Sequence, residues 1–101
     1  MTLNEFRDET LESVKSAEDE DGAKLLIETA SLTLVKSGVG SQRQREFWVD
    51  LYQSLAEQEA TLKKRAARQR QGLLIKEALS AEALSAIIAA ARAAVADHVA
   101  R

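Results

Sequence analysis

The chain is 101 residues long, the size of one domain spanning 1–101, and it contains neither cysteine nor proline. The lack of cysteine excludes disulfides, thiolate metal sites and cysteine nucleophiles, and only four aromatic residues, Phe6, Phe47, Trp48 and Tyr52, argue against a sandwich or barrel. The formal charge of −2 hides a strong segregation: residues 1–28 carry nine acids against three bases, whereas residues 63–76 carry six bases and no acid.

Thr2-Leu3-Asn4-Glu5 matches a capping box and predicts a helix that opens there. Leu3, Phe6, Thr10, Val14 and Ala17 then recur on one face, flanked by Leu11, while Glu5, Asp8, Glu9 and Glu12 take the rest. The run Glu18-Asp19-Glu20-Asp21 is expected to end this helix, with Gly22 as its turn, because like charges repel at a negative helix C-terminus. A second helix is predicted over 23–37. Ala23, Leu26, Ile27, Ala30 and Leu34 form one stripe, and Leu25, Leu32 and Val35 point elsewhere, so this helix reads as a central, buried one. Ser37-Gly38-Val39-Gly40 is a turn.

Ser41-Gln42-Arg43-Gln44 is a second capping-box match, opening a long helix over about 42–71. Trp48, Leu51, Leu55 and Leu62 recur at heptad spacing with Tyr52 alongside, and past Leu62 the seam turns polar at Arg65, Gln69 and Gly72. Residues 72–79 read as a short helix or a kinked continuation. Ser80 is the expected N-cap of a last helix over 81–100, with an apolar stripe of Leu84, Ile87, Ile88, Ala91, Val95 and Val99. Its opposite side is alanine (Ala86, Ala89, Ala93, Ala96, Ala100), which suits either water or the close approach of another helix. The expected architecture is therefore all-α: a small bundle of four to five helices with one long helix, which dimerisation would complete.

The residues offer little for chemistry. His98 is the one histidine and, without cysteine, builds no usual zinc site, so it reads as structural near the end of the last helix. The acidic run 18–21 lacks the twelve-residue ligand spacing of a calcium loop. The glycine-rich turn 37–40 lacks the lysine–hydroxyl pair of a nucleotide loop. No catalytic, metal or cofactor site is expected. The acidic N-terminus shows no signal peptide, and no apolar run approaches the ~20 residues of a membrane helix. A soluble, cytoplasmic protein without membrane contact is the expectation.

Function then rests on surfaces. Lys63, Lys64, Arg65, Arg68 and Arg70 are the strongest charge signal, and they admit three readings: pairing with the chain's own acidic segment or a second copy's, an acidic protein partner, or nucleic acid. Against nucleic acid stand an overall pI near 5.4 and the absence of aromatics among the bases. Trp48, Leu51, Tyr52 and Leu55 are candidate partner anchors, or else the principal core. The sequence points to a non-enzymatic protein–protein interaction module, an adaptor, inhibitor or small subunit, that self-associates. The alternative is a nucleic-acid-binding accessory protein using 63–76.

Overall fold

The computed structural model describes residues 2–72 and 75–100, excluding the side chains at 69, 70 and 75–78. Four helices make up a compact all-α bundle: α1 (Leu3–Lys15), α2 (Glu20–Lys36), α3 (Ser41–Gln71) and α4 (Ile75–Val99). The molecule measures 50 × 24 × 20 Å, its length set by α3.

The Thr2 hydroxyl accepts the Glu5 amide at 3.1 Å and starts α1, as its capping sequence predicts. The acidic run does not behave as expected. Helix α1 ends at Lys15, before the run, and α2 begins inside it at Glu20 rather than at 23. The Asp19 carboxylate caps α2 by accepting the Gly22 amide at 2.7 Å, with Glu20 and Asp21 in the first turn. The dipole that disfavours acids at a helix C-terminus favours them at an N-terminus, so the same charges open the next helix. Gly22 thus lies within α2, where a Cβ would stand 3.1 Å from the Asp19 oxygen. At its far end α2 closes through Gly38 at φ 72°, with the Gly38 amide on the Val35 carbonyl and the Val39 amide on that of Leu34. This is a Schellman closure, and it uses the positive φ that glycine tolerates.

Helix α3 runs the full predicted length, but its start differs in detail. The Gln44 amide bonds the Gly40 carbonyl, and the Gln44 side chain donates to the Val39 carbonyl at 2.7 Å instead of reaching back to Ser41. Helix α4 is continuous from Ile75, so Ser80 is an interior helical residue and not a cap. No glycine or proline lies between 75 and 99 to interrupt the hydrogen-bond ladder. Leu73 and Leu74, which belong to the expected short helix, lie outside the described residues.

The principal contact is between the antiparallel helices α3 and α4, and α4 touches all three others. Trp48, Leu51, Leu55, Leu62 and Ala66 of α3 meet Ala81, Ser85, Ile88, Ala91 and Val95 of α4 in the core. Helix α1 adds Thr10 and Val14, and α2 adds Ala23, Ile27, Ala30 and Leu34. The second helix is not central. Its other apolar residues face outward, with Leu25, Leu32 and Val35 exposed by 68, 60 and 63%. A bundle of four helices gives a peripheral member neighbours on one side only, and α2 hardly meets α3.

The stretch Leu79–Val99 of α4 is long and apolar enough, by length and composition, to cross a membrane, contrary to the sequence expectation. In this fold its stripe from Ala81 to Val95 packs in the core, and Arg92 within it is ion-paired. On the alanine side Ala86, Ala93 and Ala100 are exposed, and Ala89 and Ala96 are half-buried.

Candidate interaction surfaces

The aromatic residues gather at one end of the bundle. Phe6 stacks on Phe47 with ring centroids 5.5 Å apart, Phe47 meets Trp48 edge-on, and Trp48 stacks on His98 at 4.3 Å. Arg7 reaches Asp50 at 3.1 Å on the same flank, which sets α1 alongside the start of α3. Trp48 is 3% exposed, and Leu51 and Leu55 are fully buried. Three of the four candidate anchors therefore lie in this chain's own core.

Tyr52, the fourth, is half-buried and committed to an internal cluster. Its hydroxyl accepts from Arg92 at 3.3 Å, and the guanidinium lies 5.8 Å from the ring centroid. Arg92 also donates to the buried Glu59 carboxylate at 2.6 Å, and Lys63 completes the group at 2.9 Å. Hydrogen bonds from Lys63 and then Arg92 hold the Glu59 pKa below its ordinary value, against the opposing effect of burial. The Glu59 contact raises that of Arg92 in turn. This α3–α4 pairing fixes the register of the two helices. The Glu59–Lys63 spacing of four was legible in the sequence; the partnership with Arg92, 33 residues away, was not.

The basic cluster divides. Lys63 is engaged with Glu59, whereas Lys64, Arg65 and Arg68 are exposed on the part of α3 beyond the reach of the shorter α1 and α2. The side chains of Arg70 and Lys76 lie outside the described residues. Among the described residues no ion pair joins the acidic segment 1–28 to the bases of 63–76. The acids of α1 find Lys15 and Arg7 nearby instead, at 3.2 Å for Glu12 and 3.6 Å for Asp8. Among the described residues the basic cluster therefore does not pair with the acidic segment of its own chain, and its intrachain partner there is Glu59, held by Lys63.

A surface feature that the sequence did not reveal lies between α2 and α3. An open groove of about 960 Å³ is walled by Ser31 and Val35 on one side and by Ser41, Gln42, Arg45 and Val49 on the other. Trp48 and His98 also line it. The His98 side chain is only 7% exposed, its Nε2 has no hydrogen-bond partner, and the nearest carboxylate oxygen, of Glu28, stands 3.7 Å away. The groove follows from tertiary geometry: two helices consecutive in sequence hardly touch, and α4 ends between them. Among the described residues no cluster of three or more histidines and acids is placed to hold a metal ion.

Compared with protein-family models, with curated proteins and with solved structures, the chain matches none.

Proposed function

We propose that this protein is a non-enzymatic interaction module that binds other protein surfaces through its helix faces, as an adaptor, inhibitor or small subunit. The observation that carries the reading is the outer face of α2. Leu25, Leu32 and Val35 lie in water in a chain with few large apolar side chains to spare. Scattered exposed leucines are ordinary, but three on one helical line beside an open groove form the kind of patch that partners cover. The exposed cations Lys64, Arg65 and Arg68 supply a second contact, suited to an acidic protein surface.

Affinity capture from the source cells tests the reading, comparing the wild-type chain with a Leu25→Glu, Leu32→Glu variant. Both positions are exposed, so helix content and thermal midpoint are expected to stay the same while the captured partner is lost. Equal capture by both chains, or none by either, sinks the proposal.

A second reading gives the same cations to nucleic acid. It is favoured by the exposure of Lys64, Arg65 and Arg68 together, with no acid from α1 or α2 paired to them. Binding would then weaken steeply between low and moderate salt and vanish when the three become Glu. Absence of binding to DNA and RNA at low salt removes this reading.

A further inference from the structure

We propose that the outer face of α2 receives a second copy of this chain, in an antiparallel, two-fold symmetric pair. The inference rests on the reading above and names the occupant of that same face.

Leu25, Glu28, Leu32 and Val35 are spaced three, four and three residues apart, the pattern of a helix-pairing seam, and all four are exposed. Asp21 continues the line at the N-terminal end. The two ends of α2 carry opposite charge. Glu18, Asp19, Glu20 and Asp21 are exposed at its beginning against one base, Lys24, and Lys36 at its end is followed by the exposed Arg43 and Arg45 against one acid, Glu46, in the first turns of α3. A parallel pair would set acids against acids and bases against bases. An antiparallel pair sets each acidic end on the other copy's basic end, and the symmetry makes that contact twice. In this register Leu25 lies opposite the second copy's Val35, and Leu32 opposite its Glu28. The self-complementary charge selects a second copy, because a foreign helix would have to reproduce both ends.

A second, independent feature fits the same pairing. Glu28 is the one polar residue between the apolar positions, and its carboxylate stands 3.7 Å from the unpartnered, buried His98 Nε2. Covering Glu28 with the second copy's Leu32 takes water from the carboxylate, and a hydrogen bond donated by His98 Nε2–H to that carboxylate would offset the cost and give the nitrogen a partner. The helix offers a strip about 25 Å long, so the interface falls below the roughly 1,200 Å² at which standard-size interfaces begin, and the dimer is expected to be weak, in the micromolar range.

Light scattering and sedimentation on the full chain test this, from about 1 μM to about 1 mM, a range that brackets such affinities. The expected mass rises toward twice the 11.1 kDa chain. Leu32→Glu should weaken the dimer by at least about 30-fold while leaving the helical circular dichroism unchanged. Asp21→Lys and Lys36→Glu should each weaken it by about threefold to tenfold, and the two reversals in one chain should restore it. Restoration distinguishes the antiparallel arrangement from any other use of the face. A chain that stays monomeric to about 1 mM overturns the proposal, even if it captures a foreign partner, and leaves the broader reading standing. A dimer that survives Leu32→Glu, or one that the double reversal fails to restore, overturns it as well.

Discussion

At the end of the bundle where Phe6, Phe47, Trp48 and His98 stack, four helices meet and the buried side chains are large. Toward the other end α3 and α4 outrun their neighbours, and among the described residues the buried ones there are Leu62, Ala66, Ala81 and Ser85. Two helices alone enclose no volume for an aromatic ring, but small side chains let them approach closely, and burial there removes less surface from water. Among the described residues most of the apolar gain, about 1.5–3 kcal/mol for each large side chain buried, is therefore concentrated at the four-helix end. The two-helix end keeps its outer surface free for Lys64, Arg65 and Arg68.

The difference can be broken by mutation. Trp48→Ala is expected to have the largest effect, a loss of about 3–5 kcal/mol in denaturant unfolding, because it opens a cavity under the stack. Leu62→Ala, at the edge of the two-helix end, should cost clearly less than Leu55→Ala, for which about 2–5 kcal/mol is expected. Equal losses at 55 and 62 would show that the two ends are packed alike. The junction between them is the Glu59–Arg92 pair. Glu59→Gln leaves Arg92 without its anionic partner and should cost about 1–3 kcal/mol, less than a fully buried pair because Arg92 is one-third exposed.

That pair also sets a pH dependence. The folded-state pKa of Glu59 lies below its ordinary value of 4.5, so the stability it contributes is present above that value and is lost as pH falls through the folded pKa. Acid titration of unfolding should show this loss in the wild type, with a shallower slope in Glu59→Gln. Gly38→Ala, which forces a side chain into the left-handed turn after α2, should cost about 1–2 kcal/mol in thermal unfolding. The smallest effect belongs to the cationic end: changing Lys64, Arg65 and Arg68 to Glu should move stability by no more than about 0.5 kcal/mol. A large loss of stability there would mean that those cations hold the fold together.

Much of the helical pattern was legible because it is local. Thr2 capping α1, the turn at 37–40 and the length of α3 depend on residues within a few positions of each other. So does the apolar stripe of α2, in which Ala23, Ile27, Ala30 and Leu34 are buried as their spacing predicts. The acidic run misled because its charges suit the start of one helix as well as they spoil the end of another, and Gly22 fits either role.

By itself, then, the sequence determined an all-helical chain, the turn between α2 and α3, and the separation of acidic and basic segments, while the break between α1 and α2 fell earlier than its charges suggested. Only the tertiary structure decided which apolar stripe meets a neighbour. It placed Trp48, Leu51 and Leu55 inside, left Leu25, Leu32 and Val35 outside, paired Glu59 with Arg92 and opened the groove beside His98. Periodicity states that a side of a helix is apolar, but how many neighbours the helix has is a property of the whole bundle. For α2, which hardly meets α3, that count is what leaves Leu25, Leu32 and Val35 exposed instead of in the core.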